Sequence, residues 1–206
     1  MKAQQVFLSY NRSGPGHAAI ADIYRYCPRC GRELAARAED TRPSCPGCGF
    51  VFYGNPLPGV VVLVLRNNCV LLGKRGQGSF NPGRWCLPGG FIEYEEDFLT
   101  AGIREMKEET GLDIRAMGIL SVVSNFLAPE LHTLVIVLLA EVVGGSPEAG
   151  DDIVELGWFP ASKPLPDMAF EADRHIIERY FSTGLTGAPV DPRYSHPRLI
   201  DKDRTV

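Results

Sequence analysis

The sequence lacks an apolar run long enough to cross a membrane. Its longest uninterrupted apolar segment extends from Leu134 to Ala140, whereas a transmembrane helix needs roughly 20 such residues. Residues 1–26 contain polar residues and glycines at positions where a secretory signal would need a continuous apolar segment. No membrane partner is therefore expected, and we expect a cytoplasmic location.

The sequence also lacks an excess of positive charge. It contains 21 Lys and Arg residues against 25 Asp and Glu residues, which gives a formal net charge of -4. A protein that holds nucleic acid through a global positive field would need the opposite balance. A nucleic-acid partner is therefore not expected, and a small-molecule substrate is favoured.

The length and composition indicate one catalytic domain with a small accessory module. The chain has 206 residues, of which 45% are hydrophobic and 22% charged, a balance that suits a packed core. Composition shifts along the chain predict an extension at 1–25 with one helical turn, a cysteine module at 26–52, a catalytic domain at 53–185 and a coil-like tail at 186–206.

Two Cys-x-x-Cys pairs are the distinguishing feature of the accessory module. They are Cys27 with Cys30 and Cys45 with Cys48, separated by 14 residues, a spacing typical of a structural four-cysteine zinc site. Large apolar residues are few in this stretch, so a bound Zn²⁺ would replace the missing core. Two disulfides are the alternative, which would suit a secreted protein. A scaffold or dimerisation role for such a zinc ribbon is favoured over nucleic-acid binding.

Hydrophobic periodicity in the catalytic region predicts a mixed β-sheet flanked by helices, an α/β (α+β) sandwich. An Asn67-Asn68 turn is expected to join two strands in a hairpin. Residues 76–90 are expected to form a loop, and Gly111 to end the first helix. The predicted strands are 60–65, 70–72, 119–126, 133–143 and 153–159, and the predicted helices are 98–109 and 169–181.

Three glutamates lie on one face of the first predicted helix. Glu105, Glu108 and Glu109 are related by i, i+3 and i+4, so their carboxylates are close enough to repel one another. A hard divalent cation with oxygen ligands would compensate this charge, and Mg²⁺ is the usual ion where phosphate is the substrate. A solvated surface helix is the alternative for a Glu-rich segment.

The surrounding residues resemble the Nudix box. From Gly90 to Leu112 the order is Gly, five residues, Glu, seven residues, then Arg-Glu-apolar-x-Glu-Glu-x-Gly-apolar. The resemblance to Nudix hydrolases implies a sandwich fold in which this loop-helix-loop grips Mg²⁺ or Mn²⁺ on a diphosphate. It further implies that Glu105 and Glu109 are the principal metal ligands, with Glu108 and the carbonyl of Gly90 as further ligands.

The same resemblance assigns roles to other charged residues. Glu96 matches the isolated glutamate of the box, close to the metals, and Arg104 is expected to form an internal ion pair with Glu96 that orients the loop. These two residues complete the predicted catalytic set with Glu105, Glu108 and Glu109. The general base is a box glutamate or a later residue, which leaves Glu108, Glu130 and Glu155 as candidates.

A zinc ribbon before a Nudix domain resembles two groups of diphosphate hydrolases. The cysteine pairs and Tyr53-Gly54-Asn55-Pro56 resemble NADH pyrophosphatases. Those proteins carry a Ser-Gln-Pro-Trp-Pro-Phe-Pro-like run where this chain has Ser124-Asn125-Phe126-Leu127-Ala128-Pro129. The layout, including Leu165 to Phe170, also resembles ribbon-bearing Nudix proteins that act on ADP-ribose or FAD and release AMP, and this group ranks first.

Aromatic residues close to the box are candidates for stacking on an adenine or flavin ring. They are Trp85, Phe91, Tyr94 and Phe126, and packing in the core or a loop is the alternative for each. His132, with Glu130, lies between two predicted strands where it would reach a ribose or phosphate, or serve only as a loop residue.

Two rival functions use the same resemblance. One is a non-catalytic regulator that senses a metabolite with a Nudix fold while the ribbon contacts nucleic acid or protein, and the other is RNA cap removal. The complete set of box glutamates favours an enzyme over a sensor. A homodimer is expected from the resemblance alone.

Overall fold

The computed structural model describes residues 24–34, 44–128 and 131–191, together with the backbone of the strand at 6–10. These residues form nine strands and two helices. In chain order the elements are β1 (Val6–Tyr10), β2 (Leu57–Arg66), β3 (Cys69–Arg75), β4 (Trp85–Cys86), β5 (Gly89–Phe91), α1 (Phe98–Thr110), β6 (Leu112–Ala128), β7 (Leu131–Gly145), β8 (Ile153–Pro160), α2 (Glu171–Thr183) and β9 (Ala188–Pro189).

The central strand is β2, which is apolar on both of its faces. It pairs in parallel with β7 and antiparallel with β5, and its end pairs antiparallel with β3. Val60, Val62 and Val64 pack in one core cluster, while Leu63 packs in the other. A strand covered on both faces has a continuous hydrophobic sequence, which explains why the apolar run at 60–65 predicts this strand.

The two core clusters lie on opposite faces of the sheet. One is covered by α1 and includes Leu99, Met106 and Leu138. The other is covered by α2, whose Ile176 and Ile177 are fully buried. The predicted mixed sheet between helices is therefore confirmed.

Local sequence signals define the element ends, and the predicted Asn67-Asn68 turn and Gly111 helix end are both present. Asn67 and Asn68 have φ angles of 50° and 58°, the left-handed conformation that a two-residue hairpin turn requires. Asp97 caps α1 by accepting hydrogen bonds from the backbone N–H groups of Leu99 and Thr100, and Gly111 ends the helix with φ at 70°. Neither helix in the described part of the chain is long and apolar enough to cross a bilayer.

Several segments differ from the sequence-based expectations. The extension at 1–25 contains β1, which pairs in parallel with β6, while its predicted helical turn lies outside the described residues. The predicted loop at 76–90 contains β4 and β5, and the predicted coil after 185 contributes β9, which pairs with β6. The strands β2, β3, β6 and β7 are longer than predicted. Hydrophobic periodicity does not predict strands as short as β4, β5 and β9, because they are stabilised by pairing with strands distant in sequence.

Replacement of Leu138 by Ala is expected to lower the free energy of unfolding by about 2–5 kcal/mol. Leu138 on β7 is fully buried in the core cluster that α1 covers, so the truncation leaves a cavity. Urea denaturation followed by circular dichroism measures the loss. Leu134→Ala, on the same strand but 40% exposed, is the matched control and should change stability by about 0.5 kcal/mol or less; equal losses would contradict the assigned core.

Candidate functional site

Two of the three helix glutamates are buried in the wall of one cavity. Glu105 is 7% exposed and Glu109 is 2% exposed, and both line the same cavity. The side chain of Glu108 is 50% exposed. The i, i+3, i+4 spacing on α1 therefore brings Glu105 and Glu109 into the site and leaves Glu108 at its rim.

The glycine pair Gly89-Gly90 holds these carboxylates in place. The backbone N–H of Gly89 donates a 2.7 Å hydrogen bond to Glu109. A Cβ atom at Gly90 would clash with the carboxylate of Glu105, so a larger residue here would displace that carboxylate. Gly89 itself has φ at 143°, which also favours glycine. The start of the box motif thus provides space and one hydrogen bond for its glutamates.

Arg104 joins the remaining carboxylates of the motif. Its Nε and Nη atoms bind both oxygens of Glu96 at 3.1 and 2.6 Å, and Nη1 binds Glu105 at 2.8 Å and Glu108 at 2.9 Å. Nη2 also donates to the carbonyl of Phe91 at 3.1 Å. The ion pair expected between Arg104 and Glu96 is present, and its hydrogen bonds lower the pKa of Glu96. One guanidinium thus fixes the loop and the helix together.

The charge at the site is only partly compensated by protein groups. Burial raises the pKa of Glu109 to about 9, and the adjacent carboxylates of Asp152 and Glu105 add to that rise. Burial also raises the pKa of Glu105 despite its bond to Arg104. A cluster of anionic oxygens that is costly to ionise without a further cation fits a hard divalent cation.

The carboxylates open into a cavity of about 520 Å³. It lies on the sheet face that α2 covers and is bounded by β2, β5, β6 and β7. The residues of its wall include Leu57, Gly59, Val61, Arg75, Phe80, Gly89, Gly90, Phe91, Glu105, Glu109, Asn125, Leu127, Leu131, Thr133, Val135, Asp151, Asp152, Phe170 and Asp173.

Several of these charged residues had no sequence signal. Asp152 forms a 3.0 Å ion pair with Arg75, and Asp151 lies beside it in the turn before β8. Asp173 on α2 accepts a 3.0 Å hydrogen bond from the N–H of Leu87, and burial raises its pKa to about 7. Aspartates in a turn or at a helix start are ordinary, so only the fold identifies them as part of the cavity.

Of the four aromatic residues proposed to stack on substrate, Phe91 lines the cavity. Trp85 instead packs edge-on against Phe159 at 4.8 Å between ring centroids. Tyr94 is fully exposed, and Phe126 stacks on His132 at 4.0 Å. Proximity to the box in sequence did not determine which face of the sheet each ring occupies.

Two aromatic residues that the sequence did not single out lie in the cavity wall. Phe80 and Phe170 have nearly parallel rings with centroids 6.0 Å apart. The guanidinium of Arg75 lies 5.5 Å from the centre of the Phe170 ring.

The three candidate bases occupy different environments. Glu108 is held by Arg104. Glu155 lies on β8 and pairs with Lys74 at 3.0 Å, and it is not among the residues of the cavity wall. Glu130 lies outside the described residues. The choice of base among them stays a prediction.

The four paired cysteines form a second cluster. Their sulfur atoms all lie within 4.8 Å of one another, and none forms a disulfide. Cys27 and Cys48 are 3.7 Å apart, and Cys30 and Cys45 are 3.6 Å apart. A tetrahedron with metal–sulfur bonds of about 2.3 Å would place its sulfurs about 3.8 Å apart. The cluster therefore fits a tetrahedral metal site.

Sequence comparisons agree with this geometry. The model of the NUDIX domain matches residues 55–180. The chain is 38% identical over 132 residues to the ADP-ribose pyrophosphatase of Methanocaldococcus jannaschii, which covers 64% of this chain and 76% of that protein. It is 32% identical over 175 residues to the NAD-capped RNA hydrolase NudC of Pseudomonas aeruginosa, covering 81% of this chain but only 60% of that protein.

Solved structures give the same result. The chain superposes on a NUDIX hydrolase from Nitrosomonas europaea with a TM-score of 0.68 at 27% identity, covering 81% of this chain and 96% of that one. A MutT NUDIX hydrolase from Burkholderia pseudomallei matches with a TM-score of 0.56 at 29% identity, covering 60% and 97% of the two chains. Since the NUDIX match also spans more than half of the sequence, this protein belongs to the NUDIX family of hydrolases.

Proposed function

We propose that this protein hydrolyses the diphosphate bond of a nucleoside-diphosphate derivative, with ADP-ribose as the first candidate substrate. The observation that carries the proposal is the buried pair Glu105 and Glu109, held by Arg104 and Gly89 at one part of a cavity of about 520 Å³. A site of this volume accommodates a small organic ligand. The likeness to an ADP-ribose pyrophosphatase supports the choice of substrate.

The proposed metal ligands are Glu105, Glu109, Glu108 and the carbonyl oxygen of Gly90. Bound Mg²⁺ or Mn²⁺ would neutralise the diphosphate oxygens and lower the pKa of the attacking water. Arg104 holds Glu105 and Glu108 in position, and the N–H of Gly89 holds Glu109. Such preorganisation means that little rearrangement is needed when charge develops in the transition state.

Cleavage within the diphosphate of ADP-ribose would transfer water oxygen to one phosphorus atom and release AMP and ribose 5-phosphate. A carboxylate would accept the proton of the attacking water. Glu108 is the candidate base on α1. Its partner Arg104 also donates hydrogen bonds to Glu96 and Glu105.

A second candidate activity is hydrolysis of NAD-derived substrates. The likeness to NudC covers 81% of this chain, which is more than the NUDIX domain at 55–180 alone. The chain spans about 60% of the length of that relative. Because that relative is an NAD-capped RNA hydrolase, NADH and NAD-capped RNA must be tested as substrates beside ADP-ribose and FAD.

The cysteine cluster is proposed to hold one structural Zn²⁺. Its only buried apolar support among the described residues is a small cluster around Phe52, so metal bonds would supply most of its stability. Four thiolates leave no open position on the ion for water. The zinc would therefore maintain the accessory module rather than take part in hydrolysis.

The Glu109→Gln variant is expected to lose at least 100-fold in kcat while its melting temperature stays within a few degrees. The amide has nearly the same shape and keeps an acceptor for the N–H of Gly89, but it removes the proposed metal ligand. Initial rates with Mg²⁺ and thermal denaturation measure the two effects. Glu178→Gln, at an exposed position on α2, is the control; a near-normal kcat for Glu109→Gln would exclude the ligand role.

A substrate panel tests the reaction itself. The purified protein with Mg²⁺ is expected to convert ADP-ribose to AMP with the highest kcat/KM among ADP-ribose, FAD, NADH, NAD-capped RNA and a dinucleoside polyphosphate, as measured from chromatographed products. Preference for NADH or NAD-capped RNA would replace the first candidate by the second. Failure to turn over any compound, with Mg²⁺ or Mn²⁺ and with zinc retained, would favour a non-catalytic sensor.

Metal analysis of the purified protein is expected to find one equivalent of zinc per chain. Cys45→Ala should lose this zinc and lower the melting temperature, because three thiolates and water bind the ion more weakly than four thiolates. Cys69→Ala, whose thiol lies outside the cluster, is the control and should keep the zinc. A zinc content unchanged in Cys45→Ala would refute the assignment.

A further inference from the structure

Two polar residues face each other in a part of the cavity remote from the box glutamates. Asn125 on β6 and Thr133 on β7 are directly opposite in the antiparallel register, and both line the cavity. Asn125 is 8% exposed and Thr133 is 4% exposed. Cross-strand neighbours of this kind have their Cβ atoms about 5 Å apart, so a single ligand group can contact both.

Among the described residues, neither side chain has a hydrogen-bond partner for its polar atoms. The hydroxyl oxygen of Thr133 is buried without a hydrogen bond. The carboxamide of Asn125 borders the cavity and forms no hydrogen bond with a described residue. Buried polar groups are almost always hydrogen-bonded in folded proteins, so the unsatisfied hydroxyl of Thr133, beside an unpaired carboxamide on the cavity wall, indicates a ligand that completes both.

The surroundings of the pair are apolar. Leu57 pairs with Thr133 across the β2–β7 ladder, and Leu127, Leu131 and Val135 complete this part of the wall. Such a surface suits the face of a flat ring, while the amide and hydroxyl would meet its edge. A phosphate or a sugar with many hydroxyl groups would find too few polar partners here.

The pair is also well separated from the proposed reaction centre. Gly89, which binds Glu109, pairs with Val61 on β2, whereas Thr133 pairs with Leu57 on the same strand. Four residues of extended chain span about 13 Å. The pair would therefore contact a part of the substrate that does not react.

We propose that Asn125 and Thr133 form a specificity-determining pair for the edge of a planar ring that presents an N–H donor beside an acceptor. A carboxamide matches such an edge with two parallel hydrogen bonds, and the threonine hydroxyl can donate or accept a third. The aminopurine ring of an ADP group and the carboxamide-bearing pyridine ring of NADH both have this chemistry. The proposal rests on the proposed diphosphate hydrolysis and adds which part of the substrate the protein recognises.

A site built to hydrogen-bond a substrate group discriminates strongly against an analogue that lacks it, because its own polar atoms then stay unpaired. The pair should therefore act on substrate choice more than on the chemical step. Its removal should weaken binding of the matching substrate and leave cleavage of the non-matching analogue unchanged.

Two matched pairs of substrates separate the two sources of the planar edge. One pair is ADP-ribose and its analogue whose purine lacks the 6-amino group, and the other is NADH and its analogue with acetyl in place of the carboxamide. The wild-type protein is expected to favour the complete member of at least one pair by 10-fold or more in kcat/KM. Asn125→Leu should reduce that preference to about 2-fold or less through KM, and Thr133→Val should reduce it partly.

The substrate pair for which Asn125→Leu loses the preference identifies the ring. Collapse for ADP-ribose alone assigns the aminopurine, and collapse for NADH alone assigns the pyridine carboxamide. Ser124→Ala is the matched control, since Ser124 is adjacent on β6 and points to the opposite face of the sheet; it should keep the wild-type preference. A preference that is unchanged in Asn125→Leu, or an equal loss with all four compounds at an unchanged melting temperature, overturns the proposal.

A binding measurement separates this proposal from the proposed hydrolysis. Titration calorimetry of the four compounds against Glu109→Gln and Glu109→Gln/Asn125→Leu requires no turnover. Stronger binding of the complete member, lost in the double variant, supports the pair even if the wild-type protein hydrolyses none of the compounds. Equal affinities for both members of each substrate pair in Glu109→Gln would refute it, whatever the rates show.

Discussion

The placement of two buried carboxylates beside a glycine pair is the constraint on which the rest of the site depends. Glu105 and Glu109 can be buried together because Gly90 leaves room for one and the N–H of Gly89 binds the other. Arg104 then ties the helix to the preceding loop through Glu96. Since like charges are costly to bury side by side, this arrangement is one that a divalent cation would complete.

The sheet connects this charged centre with the rest of the cavity. On the central strand β2, Val61 pairs with Gly89 and Leu57 pairs with Thr133. One rigid element therefore fixes the separation between the proposed reaction centre and the proposed ring site. Both faces of β2 are packed, by α1 on one side and by α2 with the cavity on the other. Because this separation is fixed, a substrate that contacts both sites must have a matching length. The protein would then select its substrate by size as well as by hydrogen bonding.

The accessory module follows a different physical principle from the catalytic domain. The domain at 55–180 is held by two hydrophobic clusters, whereas the cysteine module has a small cluster around Phe52 and its four thiols. Metal binding would replace hydrophobic burial there. The spacing of the cysteines therefore carries the structural information that elsewhere is carried by apolar periodicity.

The sequence alone was sufficient for the features that local chemistry controls. Helix periodicity placed Glu105 and Glu109 on one face, Asn67-Asn68 and Gly111 marked a turn and a helix end, and the two cysteine pairs predicted one metal cluster. Only the tertiary structure decided which side chains share the cavity. It put Asp152, Phe170 and Asp173 in the wall and placed Trp85 in the core, because these positions depend on strand pairing and helix docking between segments distant in sequence.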